Sequence, residues 1–372
     1  MTSSPAGYTL GIEEEFQIVD PVTRELRAGI HHILPTAGAS AAEVQAEIYQ
    51  SMIETATPIC RSLAEAREEL VRLRRTVIAA AEEEGAQLGA AGTHPISHWT
   101  DQEITPHDRY QRTTQHFQQI GRELLIYGCH VHVGVPDREV ALHVVNRARV
   151  WLAPLVALAA NSPFWLARDT GYASFRTAVW SRFPTSGPPG VFSSYEEYEQ
   201  LVLALAATGV VRDPTRLYWD LRIPVGKPTV EFRATDVCLT VDESVMVAGL
   251  CRALVRTAAD AAERDEPVPF ARHELLRCAN WMAARYGVEG ELVDLNAGGA
   301  PKPAAEIVGA LLEYTRPALE AHGDWDEVSG LVAETLRRGS GTRRQREVYW
   351  RTGRLEDVVD YIVAETRRGV MD

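Results

Sequence analysis

The sequence predicts an α+β protein, and three observations lead there. Period-two alternation of apolar and polar residues recurs in the first two thirds of the chain, at Gly11–Phe16, Tyr127–Val133 and Thr229–Asp236. From about residue 242 onward, apolar residues recur instead at the three- and four-residue spacing of helices. Strands and helices are therefore segregated along the chain, without the regular alternation of a doubly wound parallel sheet. The 372 residues suffice for one large domain or two ordinary ones, with ample length for a buried core.

Taken in order, Tyr8 to Val19 reads as a strand ended by the turn signal Asp20-Pro21. Ala41 to Thr55 is ambiguous, although Ser51 to Thr57 alternates like a strand. Ser62 and Glu65 form a capping-box pattern. Leu63, Ala66, Leu70, Leu73 and Val77 continue it as an amphipathic helix to about Gly85, with a solvated Glu/Arg face. Gln87 to Thr93 reads as a short buried strand ending at His94-Pro95, followed by a polar and aromatic loop to Arg109. Gln111 to Leu125 fits helix or extended chain. Asp137 caps a helix from Arg138 to about Ala160, ended by Asn161-Ser-Pro. Phe183-Pro-Thr-Ser-Gly-Pro-Pro-Gly190 can be neither helix nor sheet interior, and Ser194 to Leu205 is helical. A hairpin turned near Gly226-Lys227-Pro228 joins Leu217–Pro224 to Thr229–Asp236. Asp242 then caps a long apolar helix, Glu243 to Glu263, and helices follow at about 270–286, 302–321, 324–338 and 354–368. The run Arg343, Arg344 and Arg346 reads as a solvated helix end.

Composition narrows the function classes. A formal charge of -13 argues against nucleic acid as the main partner, although it permits a nucleotide held locally by metal ions and arginines. No apolar run is long enough to cross a bilayer, and Met1 to Gly7 has neither the basic region nor the apolar core of an export signal. The five cysteines (60, 129, 238, 251 and 278) are scattered and mostly set in apolar sequence, as expected of reduced core thiols in the cytoplasm. No Gly-rich phosphate loop of either common kind occurs.

Three strands carry the chemistry. Glu13 and Glu15 point to one face, roughly 6–7 Å apart along the strand, while Glu14 points the other way, outward or into a supporting contact. Two carboxylates at that spacing can each hold one of two divalent ions about 3.5–4 Å apart. Mg²⁺ is the natural ion, because hard oxygen ligands dominate and no thiolates cluster. His130 and His132 share a face in the same way. A lone histidine on an apolar strand is usually a satisfied core residue, whereas two in register beside an acidic pair suit metal ligation. Glu231 adds a carboxylate, and Arg222 and Arg233 add fixed cations whose planar forks bind carboxylate or phosphate. Taken alone, Glu231 beside Arg233 reads equally well as a structural ion pair. Together, a sheet face of Glu, His and Arg suits a metal-bound polyphosphate with an anionic second substrate.

Gly11-Ile-Glu-Glu-Glu-Phe-Gln17, Cys129-His-Val-His-Val-Gly134, Asn161-Ser-Pro-Phe-Trp165, Asp169-Thr-Gly-Tyr-Ala-Ser-Phe-Arg176 and Thr229-Val-Glu-Phe-Arg233 together resemble the YbdK-type carboxylate–amine ligases, also called glutamate–cysteine ligase type 2. More distantly, the same strands are similar to the active-site strands of glutamine synthetase. The resemblance implies a single catalytic domain over 1–372, with a mainly helical C-terminal part from about 242. It also implies a glutamine synthetase/guanido kinase-like fold, in which a curved, mostly antiparallel sheet carries the site and helices back it. It implies Glu13, Glu15, Glu54, Glu231 and His130 as metal ligands for Mg²⁺ or Mn²⁺, and His132 and Arg222 at the nucleotide. Arg222 and Arg233 look like the arginines that bind phosphate and substrate carboxylate, Tyr172, Arg176 and Arg182 lie where the family binds substrate, and Glu47 is similar in place to an acidic residue that serves the metal, directly or through a ligand, or the substrate. Asn280 and Arg285 match a family helix of mainly structural role.

The expected reaction is ATP-dependent. A glutamate-like carboxylate takes the γ-phosphoryl group of ATP, and a cysteine-like amine attacks the acyl phosphate, in a cytoplasmic homodimer with weak glutamate–cysteine ligase activity. The alternatives are a phosphotransferase of the same fold, a metal-dependent hydrolase, and a protein that binds without turnover.

Overall fold

The computed structural model describes residues 7–40, 42–211, 213 and 217–371. Its strands are β1 (Leu10–Val19), β2 (Val44–Ala46), β3 (Met52–Ala56), β4 (Gln87–Gly89), β5 (Gly128–Gly134), β6 (Phe164–Trp165), β7 (Arg168–Asp169), β8 (Leu221–Arg222), β9 (Thr229–Asp236), β10 (Glu291–Val293) and β11 (Pro301–Pro303). Its helices are α1 (Ile30–Ala37), α2 (Leu63–Glu83), α3 (Asp108–Phe117), α4 (Gln119–Arg122), α5 (Arg138–Ala148), α6 (Leu152–Leu158), α7 (Phe175–Trp180), α8 (Tyr195–Ala207), α9 (Val241–Glu263), α10 (His273–Tyr286), α11 (Ala304–His322), α12 (Trp325–Arg338), α13 (Gly341–Thr352) and α14 (Leu355–Arg367).

The architecture is the predicted α+β order. Seven strands form one sheet in the order β2-β3-β1-β5-β9-β8, with β4 also pairing β1, and every pairing is antiparallel. β1 is its axis. One edge takes β3, and the other takes β5 along Leu10–Glu14 and β4 along Gln17–Val19. Alternation gives β1 two unlike faces. Leu10, Ile12, Phe16 and Ile18 enter the main hydrophobic core with Leu70, Leu73 and Val77 of α2 and Val245 and Leu250 of α9. Glu13 and Glu15 face the other way. From Val241 onward the described chain is helical apart from the β10–β11 hairpin.

Local rules explain most boundaries. Ser62 Oγ accepts from Glu65 N at 3.1 Å at the start of α2, and Asp137 Oδ1 accepts from Glu139 N and Val140 N at the start of α5. The α9 cap differs from expectation. Thr240, not Asp242, forms it, in a capping box with Glu243. The helix expected over 138–160 is broken by a 3₁₀ turn at Arg149–Trp151, and Pro154 falls in the first turn of α6, where its missing N–H costs no helical bond. The strand expected over 87–93 is only the three residues of β4. Gln111 to Arg122 resolves as helix, split at Gln118, whose φ is 49°, and 123–125 are non-helical.

Three charged groups read as solvated or outward are buried. Glu14 and Arg74, both with 0% of the side chain exposed, form a bidentate pair at 2.6 and 2.9 Å. Ser244 Oγ also donates to Glu14, and Arg74 donates to the carbonyls of Cys238 and Leu239. The α2 Glu/Arg face is thus not wholly solvated. The run at Arg343–Arg346 opens a helix, α13, that the sequence pattern did not reveal. Arg343 stays at the surface with Glu347, but Arg344 is buried against Glu243, and Arg346 pairs with Asp169 at 2.6 Å. Of the cysteines, Cys60, Cys129, Cys238 and Cys251 are buried as expected, while Cys278 is exposed. No described helix is long and apolar enough to cross a membrane.

Candidate active site

Antiparallel register brings the polar side chains of the sheet together. Glu13 lies opposite His130, Glu15 opposite Glu54, and Glu231 opposite both His132 and Arg222. Directly paired residues project to the same face, so these groups share one surface. All of them but His132 line a cavity of about 450 Å³, whose walls include Glu13, Glu15, Glu54, His130, Arg222, Glu231 and Arg233. Glu47 and Arg176 line it too. Residues spread from position 13 to position 233 therefore converge.

A bulge shapes the β9 side. The β5–β9 register slips by one residue between Cys129 and Val131, which sets Arg233 and Ala234 against His130. The buried Arg176 guanidinium donates to the carbonyls of Arg233 and Ala234 at 3.3 and 3.4 Å and so holds the bulge. Gly128 makes room for it, because a Cβ there would sit 2.4 Å from Arg176 Nη2.

Charge is distributed unevenly across the cavity. Glu231 is held by two guanidiniums, with Arg222 Nε at 2.7 Å and Arg233 on its other oxygen. Burial opposes its charge, but Arg233 and Arg222 outweigh burial and hold its carboxyl well below the usual range. Burial also opposes charge on Glu13, which the adjacent imidazoles of His130 and His132 nevertheless hold well below that range. Glu15 accepts from Gly128 N and lies near Arg176 and Arg233, which is not enough to offset its surroundings. Burial and the Glu47 carboxylate push it up to about 7. Burial and the carboxylates of Glu47, Glu13 and Glu15 raise Glu54 well above its ordinary value, and burial raises Glu47. His130 is pushed down to about 4 by burial and Arg233, so its ring is neutral at pH 7 and has a lone pair available.

The donor set suits a hard divalent cation. Glu13, His132 and Glu231 offer ligand atoms within 4.8 Å of one another. His132 Nδ1 is occupied by Thr229 Oγ1 at 3.1 Å, and Nε2 faces Glu13 Oε1 at 3.2 Å and Glu231 Oε1 at 3.9 Å. That buried Nε2 has no hydrogen-bond partner among the described residues. A cation there would satisfy it and relieve the mutual repulsion of the carboxylates. His132, expected at the nucleotide, thus sits in the deepest acidic group. His130 Nδ1 lies 3.3 Å from the other Glu13 oxygen.

Other expected residues are elsewhere. Tyr172 is not among the cavity-lining residues, and its ring packs on Phe175 and Trp281 while Trp281 Nε1 donates to its hydroxyl. Arg182 also lies off the cavity wall, paired with Glu123. Asn280 donates to the buried Asp220 at 3.0 Å, and Arg285 to the carbonyl of Gly171, both supporting contacts. Sequence reasoning missed Gln45, Arg109, Tyr110 and Lys227, which line the cavity. Tyr110 donates to Glu47 Oε1 at 3.3 Å and Gln45 to Glu54. No periodic signal marks Arg109 and Tyr110 at the start of α3. Lys227, in the turn before the Glu231 strand, carried a positional cue.

Comparison with known proteins gives a consistent picture. The model of glutamate–cysteine ligase family 2 matches residues 9–361. A Frankia alni protein provisionally named glutamate–cysteine ligase 2-2 is 44% identical over 373 residues, covering 96% of this chain and 97% of its own. One from Rhodopirellula baltica, provisionally named glutamate–cysteine ligase 2, is 42% identical over 364 residues, covering 96% of each chain. Among solved structures, the glutamate–cysteine ligase of Francisella tularensis in complex with AMP superposes with a TM-score of 0.74. It covers 99% of this chain and 90% of that one at 12% identity, a likeness of fold alone.

Proposed function

Because the chain belongs to glutamate–cysteine ligase family 2, we propose that it is an ATP-dependent carboxylate–amine ligase that forms an amide bond through an acyl phosphate. The observation that supports this most is the convergence of Glu13, Glu15, Glu54, Glu231 and His130 with Arg222 and Arg233 around one cavity, with His132 beside Glu13 and Glu231. An amino-acid carboxylate, glutamate-like, attacks the γ-phosphorus of ATP and releases ADP. A cysteine-like amine then attacks the acyl carbon, and phosphate leaves. In this assignment Glu13, Glu15, Glu54, Glu231 and His130 would hold Mg²⁺ or Mn²⁺, with His132, whose Nε2 faces Glu13 and Glu231, as a further ligand. Such an ion would supply positive charge to offset that on the phosphate oxygens.

The chain's own groups do the remaining work. Arg233, its backbone held through the bulge by Arg176, presents a fixed cation to the transferring phosphoryl group or the substrate carboxylate. Arg222 does the same from the β8 side, nearest the nucleotide. Glu47, with Tyr110 on one oxygen, is the substrate-facing acid. No cysteine acts as a nucleophile; Cys129, the one nearest the histidines, is buried on the core face. The chain acts as one catalytic domain, in the cytoplasm and as a homodimer, with weak activity on glutamate and cysteine themselves.

The test is ADP release measured with ATP, Mg²⁺ and panels of carboxylates and amines. Turnover that needs both an acid and an amine is the expected result. ADP formed with one acceptor and a stable phosphorylated product would instead make it a phosphotransferase. Product without ATP would make it a hydrolase.

A further inference from the structure

Lys227 occupies a telling position. Its ammonium lies 3.2 Å from Glu13 Oε1, the oxygen that His132 Nε2 also faces at 3.2 Å. The backbone beneath it is fixed, while the side chain is not. Arg138 Nη1 donates to the Lys227 carbonyl at 3.2 Å, Val135 N donates to the neighbouring Pro228 carbonyl at 2.9 Å, and Gly226 turns the hairpin at φ 78°. Beyond that anchored backbone the side chain is 57% exposed, so the ammonium can leave Glu13 for solvent without disturbing packing.

We propose that Lys227 is a displaceable counter-cation, resting on Glu13 while the acidic group holds no metal and expelled when a divalent ion binds there. The proposal rests on the metal assignment above. Two cations cannot share one carboxylate oxygen beside an imidazole without repulsion, and the doubly charged ion, with three protein ligands in reach, outcompetes a single ammonium. Every metal-binding event therefore includes breaking the Lys227–Glu13 contact. A half-exposed ion pair is weak, which makes the barrier to loading small but measurable.

Isothermal titration of nucleotide-free protein with Mn²⁺, on wild type, Lys227→Met, Lys227→Arg and Glu13→Gln, tests this. Lys227→Met should bind Mn²⁺ roughly threefold to fivefold more tightly, the range that an exposed ion pair allows. Lys227→Arg, which keeps the cation, should stay near wild type, and the gain in Lys227→Met should shrink at high salt. Glu13→Gln should weaken binding strongly in either background. If Lys227→Met binds as wild type or more weakly, while Glu13→Gln still weakens binding, the counter-cation role is wrong and the metal site stands. If wild type binds no Mn²⁺, or Glu13→Gln binds as well as wild type, the metal assignment and this proposal fall together.

Discussion

Three consecutive glutamates on β1 meet opposite fates, and the contrast separates what holds this molecule together from what it does. Glu14 points into the core, where Arg74, Ser244 and the carbonyls bound by Arg74 complete a closed set of partners. Glu13 and Glu15 point into the cavity, where carboxylates crowd one another and an imidazole nitrogen is left unpaired. Glu14 is fully buried, whereas Glu13 and Glu15 are partly open to the cavity. The difference lies in closure: the partners of Glu14 surround it and make it part of the fold, while the carboxylates on the other face keep one side on a space that can take a ligand.

The largest expected effect breaks the cavity side. Glu13→Gln should reduce ligase turnover by roughly a thousandfold or more, the scale seen when a positioned transition-state partner is removed. Its thermal midpoint should fall far less than that of Glu14→Gln, as read by calorimetry. Glu14→Gln should do the reverse. Breaking a buried pair leaves the Arg74 guanidinium uncompensated and costs about 3–5 kcal/mol of stability, measured by urea unfolding. Turnover per folded molecule should be largely kept.

A pH series sharpens the same contrast. Glu15 is pushed up to about 7 in the fold and Glu54 is also raised, against an ordinary value near 4.5 when unfolded. The folded state therefore binds more protons than the unfolded state between those values, and stability of the metal-free protein falls as pH rises from about 4.5 through 7. Glu13 and Glu231 have the opposite sign, with contributions present above about 4.5 and lost as pH falls below it. Mg²⁺ should consequently raise the melting temperature little at pH 5 and progressively more toward pH 8. A magnesium shift that does not change with pH would remove Glu15 and Glu54 from the metal's surroundings.

The smallest effects belong to residues off the cavity. Arg182→Ala loses a half-exposed pair with Glu123 and should change stability by less than about 1 kcal/mol, with turnover near wild type. Cys129→Ala should keep substantial turnover. Complete loss of turnover in a folded Cys129→Ala protein would reopen covalent catalysis.

The strands that carry the site were legible because alternation and polar residue type coincide in them. Glu13, Glu15, His130, His132, Glu231 and Arg233 all sit at period-two spacing, and antiparallel pairing then brings them together whatever lies between. What stayed hidden depends on partners far along the chain. Nothing local to α2 distinguishes Arg74 from its solvated neighbours, because its partner Glu14 lies 60 residues away. Helix α13 opens Gly341-Thr-Arg-Arg-Gln-Arg346, with no apolar stripe, and is held instead by pairs such as Arg344–Glu243 and Arg346–Asp169. Tyr172 and Arg182 came from resemblance alone, and the cavity passes them by. Arg109, read as the end of a loop, and Tyr110 reach the cavity from the first turn of a helix whose remainder, from Gln111, left helix and extended chain undecided.

The most direct measurement is a crystal soaked with Mn²⁺ and a non-hydrolysable ATP analogue, read by anomalous diffraction. The account predicts manganese density within coordinating distance of Glu13 and Glu231, with the analogue's terminal phosphate on the same ion. Manganese bound elsewhere, or an analogue seated away from these carboxylates, would contradict it.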